Sequence, residues 1–305
     1  MLMEKIDVFI PAGSPKPIKV GTGFKLLNRN YSELFEATGK ENKAFIEFNG
    51  KSIISRVIET LDKSSRVSSI TIGGQSKETL PLNISKPVYY VEGGETTFET
   101  VINILNFYHT WDNLPNYIMN VSSDLPLLKP EMINKIVESI DDNSDKEFYW
   151  NIIVAEDVYK NYPEIKKIPL KLIEGEFRFG DLHIMKPEVM KGREEIVEKI
   201  IGNRKKVTTV ARYFGIGNMI KYIFKRLSFE DLKKTVLKRA NFDAAVMITE
   251  FPETCIDLDY RSDLENFEKW LKAEPRKFHA NEQVIILDNK ADLEGYLSSR
   301  KLDKK

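Results

Sequence analysis

The feature of this sequence that most constrains its fold is the alternation of short apolar runs with amphipathic stretches over residues 6–140. Short runs that are rich in β-branched residues and bounded by turn residues predict buried strands at 6–11, 67–74, 86–94 and 116–126. Apolar residues at helical spacing predict helices at 52–61, 97–108 and 130–140. Strands that alternate with helices in this way indicate an α/β fold, with a parallel sheet covered by helices on both faces.

The second half of the chain is less regular. A strand is predicted within 176–187, and residues 188–240 have helical character almost throughout. Strand character returns at 241–249 and 254–259, and further helices are predicted at 261–273 and 291–300. With 305 residues, 42% of them hydrophobic, the chain can bury a large core.

Composition excludes several classes of protein. Lysine plus arginine and aspartate plus glutamate are equal in number, at 46 each, so we expect no nucleic-acid partner. A single cysteine and three widely separated histidines exclude a disulfide and a cysteine-rich zinc site. The start of the chain lacks a leader with an apolar core, and no apolar run is long enough to span a bilayer. We therefore expect a soluble, cytoplasmic protein with no transmembrane segment.

Ligands of parallel α/β sheets bind outside the carboxyl ends of the strands. The first loop at this edge lies within residues 12–42, which are rich in glycine, proline, lysine and asparagine and predict mostly a long loop. Gly13, Ser14 and nearby lysines could hold phosphates through backbone N–H groups and positive charge. The spacing is not that of a Walker loop, and an ordinary flexible loop is the alternative.

Two further segments could reach a nucleotide. Lys43 precedes an apolar segment and could place its ammonium group on phosphate oxygens, although most lysines are solvated surface charges. Gly93 and Gly94 stand between a strand and a helix, where the absence of a Cβ allows the backbone to approach a flat ligand such as a base. The structural alternative for this segment is a helix N-cap at Thr97.

Aspartates supply candidate metal ligands. Asp124 follows an apolar strand and would emerge at the mouth of the sheet, where a hard oxygen ligand suits Mg²⁺. The alternative is an aspartate that caps the turn before the next helix. Asp257 and Asp259 alternate, which would direct both carboxylates to one side of a strand, a costly arrangement without a cation nearby. Asp263 is predicted to be a residue of a helix N-terminus rather than a ligand.

The order of these motifs resembles that of the MobA-like nucleotidyltransferases, a family with a GT-A-type fold, and of the related methylerythritol-phosphate cytidylyltransferase. The matching segments are IPAGSP (10–15), NKAFIEFNGKSIISRVIETL (42–61), VEGGETTFETV (91–101), VSSDLPLL (121–128) and CIDLDYRSDLENF (255–267). The resemblance implies a doubly wound, mostly parallel sheet, and transfer of a nucleotide from an NTP to a phosphorylated acceptor with release of pyrophosphate. It implies a nucleotidyltransferase domain over 1–275, with a helical insertion at about 188–240, and a C-terminal extension over 276–305.

The resemblance also assigns residues. It implies nucleotide binding by Ala12, Gly13, Ser14, Lys16, Gly93, Gly94 and Thr100. It implies catalytic roles for Lys43 and Asp124, and a Mg²⁺ cofactor held by Asp124 together with Asp257 or Asp259. The sequence does not decide between the last two.

The chain departs from the family pattern at three places. Ser14-Pro15-Lys16-Pro17 stands where the first loop is usually richer in glycine, and Thr97 stands where the cytidylyltransferases carry arginine. Residues 190–240 have no counterpart in short family members. Their basic residues leave four interpretations open: an acceptor site, a homodimer surface, a membrane-surface patch or a solvated face. Two other functions also stay open, a GT-A glycosyltransferase that uses a nucleotide-sugar and a non-catalytic nucleotide-binding protein.

Overall fold

The computed structural model of the chain describes residues 3–13, 18–20, 23–25, 29–141, 144–165, 167–195, 198, 215–273, 276–279, 281–287 and 290–302. The strands are β1 Ile6–Pro11, β2 Ile18–Val20, β3 Gly23–Lys25, β4 Glu47–Phe48, β5 Lys51–Ser52, β6 Val67–Gly73, β7 Val88–Val91, β8 Ile118–Val121, β9 Phe148–Val154, β10 Leu170–Leu172, β11 Gly175–Phe179, β12 Leu182–Met185, β13 Ala244–Thr249 and β14 Val284–Leu287. The α-helices are α1 Arg29–Thr38, α2 Ile53–Lys63, α3 Thr97–Tyr108, α4 Pro130–Glu138, α5 Ala155–Asn161, α6 Ile216–Ile223, α7 Phe229–Ala240, α8 Asp263–Lys272 and α9 Lys290–Leu302. Three 3-10 helices lie at Lys43–Phe45, Pro187–Met190 and Pro252–Cys255.

Ten strands form one mixed sheet. Its N-terminal half is parallel, with the order β8-β1-β6-β7, and β1 lies between β8 and β6. Beyond β8 the order continues through the antiparallel strands β12, β9, β11 and β10, while β13 pairs in parallel with β9 and β14 closes that branch. Short hairpins form between β2 and β3 and between β4 and β5. The predicted α/β sheet is confirmed.

Helices cover both faces of the parallel half. Alternation along β1 sends Val8 and Ile10 to the face packed by α2 and α4, and sends Phe9 to the face packed by α3. The apolar stripe of α2, which includes Ile54 and Ile58, is completely buried. This doubly wound packing brings the ends of β1, β6, β7 and β8 to one edge of the sheet.

The predicted elements of the N-terminal half are confirmed, with one exception. Residues 12–42 are not mostly loop, because they include the β2–β3 hairpin and α1. Glycine, proline and asparagine are loop formers on average, but the apolar face around Leu34 gives α1 a surface to bury.

The second half contains more sheet than the sequence pattern indicated. The segment 176–187 carries two strands, β11 and β12, and β9, α5 and β10 were not predicted. The predicted strand at 254–259 is wrong, because a 3-10 helix that begins at Pro252 extends to Cys255 and the residues after it are irregular. Within the predicted helical insertion the described helices are Pro187–Met190, α6 and α7. Residues 196, 197 and 199–214 lie outside the described part.

The C-terminal segment joins the main sheet through β14, which pairs with β13. The predicted division at residue 275 stays a prediction, although β14 belongs to the same sheet as β1. None of the helices in the described ranges has the length and apolarity needed to cross a membrane.

Candidate functional site

Three glycine-containing loops meet at the carboxyl edge of the parallel strands. A Cβ on Gly74 would come within 2.6 Å of Gly13 N, and a Cβ on Gly93 would come within 2.8 Å of Gly74 Cα. Gly74 also has φ +83°, which favours glycine. These glycines therefore allow the loops after β1, β6 and β7 to approach one another at backbone distance. Their contact with a base stays a prediction.

Thr100 joins this cluster from the first turn of α3. Its side chain is buried, accepts a hydrogen bond from Gly94 N at 3.0 Å and donates one to Thr96 O at 3.1 Å. The N-cap of α3 is Thr96, whose hydroxyl accepts from Glu99 N, so the predicted cap at Thr97 is wrong by one residue. The cap fixes the start of α3 and with it the position of Thr100.

Asn42 connects the first loop to Lys43. Its side-chain amide donates to Ala12 O at 2.9 Å, and its side-chain oxygen accepts from Ala44 N at 2.9 Å, which caps the 3-10 helix that starts at Lys43. Because Asn42 is buried, both hydrogen bonds are shielded from water. The segment that begins with Asn42 and Lys43 is thereby tied to the first loop, although thirty residues separate Asn42 from Ala12 in sequence.

Lys43 is placed among carboxylates. Its ammonium group contacts Asp124 Oδ2, lies 3.2 Å from Asp259 Oδ1 and donates to Leu258 O at 3.0 Å. Asp124 is 2% exposed, and its other oxygen is hydrogen bonded to Ser122 Oγ. Burial disfavours the ammonium form of Lys43, but the neighbouring aspartates outweigh this effect and raise its pKa well above the ordinary value. Lys43 is therefore a permanent cation.

A second lysine, Lys167, occupies the other side of this cluster. Its ammonium group contacts Asp257 Oδ1 and lies 2.8 Å from Asp259 Oδ2. Burial lowers the pKa of Lys167, but Asp257 and Asp259 outweigh that effect and raise it. Asp259 thus lies between two lysines. Burial raises the pKa of Asp259, but the two ammonium groups outweigh burial and leave this pKa below the ordinary range. The two aspartates meet at Lys167 although they are not on a strand.

Asp181 is the fourth aspartate of the cluster. It lies in the turn between β11 and β12, where its backbone N–H donates to Thr254 O at 2.8 Å and its carbonyl accepts from Ser122 N at 3.0 Å. Burial and the charges of Asp257 and Asp124 raise the pKa of Asp181 well above its ordinary range. Burial and neighbouring carboxylates also raise the pKa of Asp257 to about 6. Carboxyl groups therefore outnumber ammonium groups in this cluster, since two lysines face four aspartates.

The structure brings most of the predicted site residues to one edge of the sheet. Ala12, Gly13, Gly93, Gly94 and Thr100 form the glycine cluster, and Lys43, Asp124, Asp257 and Asp259 form the charged cluster. Ser14 and Lys16 lie outside the described residues. Their roles and those of the other predicted site residues stay predictions.

Sequence reasoning missed Lys167 and Asp181. Asp181 follows Gly180 between two apolar runs, and this turn signal could have identified it. Lys167 carries no local signal, because its partners lie 90 and 92 residues away. Asp263 is, as predicted, at the N-terminus of α8, where it accepts hydrogen bonds from Asp259 N and Tyr260 N at 3.1 and 2.9 Å.

Over the described ranges, no group of three or more histidine, cysteine, aspartate or glutamate side chains is arranged to hold a metal ion. The carboxylate oxygens nearest the sheet edge contact the ammonium groups of Lys43 and Lys167 instead.

One part of the chain is similar to a known protein family. A cytidylyltransferase family model matches residues 35–168, which include Lys43, Asp124 and Lys167 but not Asp257 or Asp259. No curated protein matches the chain. The predicted enzyme class, a nucleotidyltransferase, is confirmed at this level.

Solved structures share the fold. A hypothetical transferase from Thermus thermophilus is 19% identical, with a TM-score of 0.65 over 85% of this chain and 99% of that chain. A CMP:2-keto-3-deoxy-manno-octonic acid synthetase complexed with CTP is 10% identical, with a TM-score of 0.51 over 88% of this chain and 98% of that chain. At these identities the likeness is one of fold, and it agrees with the α/β sheet described above.

Proposed function

We propose that this protein transfers a nucleoside monophosphate from a nucleoside triphosphate, with CTP as the preferred donor, to a phosphorylated acceptor and releases pyrophosphate. The observation that carries the proposal is the meeting of Lys43, Asp124 and Asp259 beside the glycine loops at the carboxyl edge of the sheet. Parallel α/β sheets bind their ligands at this edge.

The choice of CTP is supported by the cytidylyltransferase match over 35–168 and by the CTP named for one structure of the same fold. Thr97 stands where the resemblance would place an arginine of the methylerythritol-phosphate enzymes. The proposal is therefore cytidylyl transfer with an acceptor other than theirs.

The reaction needs little covalent chemistry from the protein. An oxygen of the acceptor phosphate attacks the α-phosphorus, a new P–O bond forms, and the bond to the departing pyrophosphate breaks with its electron pair on the leaving oxygen. The acceptor phosphate is already ionised near neutral pH, so no general base is required. Positioning and neutralisation of charge carry the catalysis.

Lys43 suits this role because it stays charged. Its raised pKa keeps the ammonium group protonated over the working pH range, which makes it an electrostatic group and not a proton acceptor. We assign to it the stabilisation of negative charge on the transferred and departing phosphates. Asn42 acts through Lys43 by fixing the 3-10 helix from which this side chain extends.

The excess of carboxylates fits a divalent cation. Ionised aspartates and a polyphosphate would repel one another, and burial, together with the charges of neighbouring carboxylates, raises the pKa values of Asp181 and Asp257. Mg²⁺ usually takes one or two carboxylates and completes its shell with water and phosphates, so it needs no protein cage. Asp124 with Asp257 or Asp259 would hold it, and when bound it would neutralise phosphate charge.

Pyrophosphate release tests the proposal. Purified protein is incubated with each of the four NTPs and magnesium, with and without a panel of sugar phosphates and polyol phosphates. We expect acceptor-dependent pyrophosphate release that is fastest with CTP. Nucleotide binding without pyrophosphate release for any pair would reject the transfer reaction in favour of a binding protein.

Asp124→Asn tests the assignment of the site. The change keeps the size of the side chain but removes the charge that faces Lys43, so we expect turnover to fall by about 10²-fold or more. Asp145→Asn is the matched control, since Asp145 is 89% exposed at its side chain. Equal turnover in the two variants would show that Asp124 is not part of the site.

A further inference from the structure

Helix α6 carries an apolar face that the described part of the chain leaves exposed. Ile216, Ile220, Ile223 and Phe224 are 71%, 51%, 68% and 68% exposed, respectively. Their spacing puts all four on one side of the helix and its last turn. We call these four residues the docking face. Single exposed apolar residues are common, but a continuous row on one helix is typical of a binding surface.

Basic residues surround the docking face. Residues 215–240 contain seven lysines and arginines and two acidic residues, in a chain whose formal net charge is zero. Lys225 and Arg226 follow Phe224 directly and are exposed, and Lys238 and Arg239 are exposed at the end of α7. Both acidic residues are in ion pairs, Glu230 with Lys234 and Asp231 with Lys221. Positive charge is therefore concentrated beside the apolar row.

The helix that carries the docking face is anchored to the body of the protein by its neighbour. Leu227 is buried, and Phe229 of α7 packs edge-on against Phe177 of β11 with ring centroids 4.8 Å apart. Asn218 of α6 donates to Thr235 of α7 at 2.7 Å, which ties the two helices together. Phe229 and Leu232 of α7 pack against a buried cluster of the core, whereas the apolar row of α6 is exposed.

We propose that the docking face binds the surface of an anionic membrane. Helices that lie in the plane of a bilayer combine an apolar face, which enters the boundary between headgroups and acyl chains, with lysines and arginines that contact anionic headgroups. The row from Ile216 to Phe224 supplies the first part, and Lys225 and Arg226 supply the second. A helix of this kind lies on a membrane without crossing it.

The residue that follows α6 and its last turn contacts the segment that leads back to the charged cluster. Leu227 O accepts a hydrogen bond from Ile173 N at 2.9 Å, and Ile173 is itself 51% exposed. Lys167 stands six residues before Ile173, so the two are at most about 20 Å apart.

Vesicle co-sedimentation tests the proposal without reference to catalysis. The full chain is mixed with vesicles of phosphatidylcholine alone or of phosphatidylcholine with phosphatidylglycerol. We expect binding to the anionic vesicles only, weakened by added salt because the headgroup contacts are electrostatic. Replacing the docking face by Ile220→Ser, Ile223→Ser and Phe224→Ser together should reduce binding by roughly tenfold or more.

Matched variants separate the apolar and the electrostatic contributions. Lys225→Glu with Arg226→Glu should weaken binding and flatten its salt dependence, whereas Phe35→Ser on α1 and Lys63→Glu on α2 should bind as the wild type does. If the triple variant does not fold, Phe224→Ser alone and the charge-reversal pair carry the same test.

Two results would overturn the proposal. One is a wild-type protein that does not bind anionic vesicles, or a docking-face variant that binds them equally well. The other is a wild-type dimer, seen by sedimentation velocity, that becomes a monomer in the triple variant while vesicle binding is absent. That second result would assign the face to a contact between two copies of this chain.

Discussion

The ammonium group of Lys167 contacts two carboxylates of the candidate site and offsets the repulsion between them. Without this ammonium group, Asp257 and Asp259 would face each other with less positive charge nearby. We expect Lys167→Ala to reduce kcat/KM for nucleotide transfer by about 10²-fold, since one charged group would be lost from the site. Lys167→Arg should recover part of the loss, because it restores the charge.

The matched control for Lys167 is Lys171→Ala. Lys171 also pairs with a carboxylate, Glu176 at 2.7 Å, but at an exposed position away from the aspartates. Its removal should leave kcat/KM within about twofold of the wild type, as exposed ion pairs contribute little. Equal losses in the two alanine variants would mean that Lys167 has no specific role.

His183, a half-buried histidine, is expected to make stability depend on pH. Burial lowers the pKa of His183 to about 4, and its Nδ1 accepts a hydrogen bond from Asn151 N at 3.4 Å, which requires the neutral form. An unfolded histidine has a pKa of about 6.5, so the unfolded state binds more protons between these values and the free energy of unfolding falls as the pH decreases.

The change His183→Gln removes this proton-binding site. We expect the wild type to lose about 2 kcal/mol more stability than His183→Gln on going from neutral pH to about pH 5. Urea unfolding at both pH values measures the difference. His279→Gln, at an exposed histidine, should retain the wild-type pH dependence, and if His183→Gln retains it as well, His183 is protonated in the folded state.

At the scale of elements, the meeting of the loops after β1, β6 and β7 depends on glycine. Gly74→Ala would place a Cβ within 2.6 Å of Gly13 N and force a residue with a side chain to adopt φ +83°. We expect a loss of at least about 2 kcal/mol in the free energy of unfolding, together with weaker nucleotide binding, because the loops must separate.

Gly295→Ala provides the comparison for Gly74. A Cβ at Gly295 meets nothing within 4 Å, and the residue lies inside α9. Alanine there should stabilise the protein by up to about 1 kcal/mol, because it favours the helix. Chemical denaturation measures the free energy of unfolding of both variants. Similar changes in the two would show that the loops around Gly74 do not approach one another closely.

Sequence patterns predicted well those helices and strands that are determined by residues close together in sequence. The 3.6-residue spacing of α2 and the β-branched run of β6 are properties of neighbouring residues, and both were predicted from them. The prediction of a strand at 254–259 was wrong because Asp257 and Asp259 alternate in sequence, as residues on one face of a strand do. In the structure both carboxylates instead contact Lys167, which lies outside this segment.

The same distinction applies to the candidate site. Asp124 and Gly93 could be placed at the sheet edge from strand order alone, since parallel strands end on one side. Lys167 could not, because it lies between α5 and β10, in a region whose antiparallel strands leave no repeating pattern. The turn at Asp181 carries a local signal, but that signal does not place Asp181 beside the other aspartates. The nearness of Lys167 and Asp181 to Asp257 depends on the register of β9 against β13, which no local signal encodes.

At the scale of the whole molecule, a buried ion pair ties the C-terminal segment to the body of the protein. Arg276 donates to both oxygens of Glu253, at 2.8 and 3.1 Å, and contacts Glu282, which precedes β14. Glu253 is 1% exposed and also accepts a hydrogen bond from Tyr162 Oη at 2.9 Å. Burial opposes the charged form of Arg276, but Glu253 and Glu282 outweigh that effect and raise its pKa.

Removing one partner of such a pair leaves a buried charge uncompensated. We expect Arg276→Ala to lower the free energy of unfolding by about 3–5 kcal/mol. Hydrogen exchange should also accelerate in β14, because Glu282 loses the contact that holds the start of this strand. The neighbouring Lys277 is exposed, so Lys277→Ala should change stability by no more than about 0.5 kcal/mol. If β14 exchanges at the same rate in both variants, its pairing with β13 holds the C-terminal segment without help from Arg276.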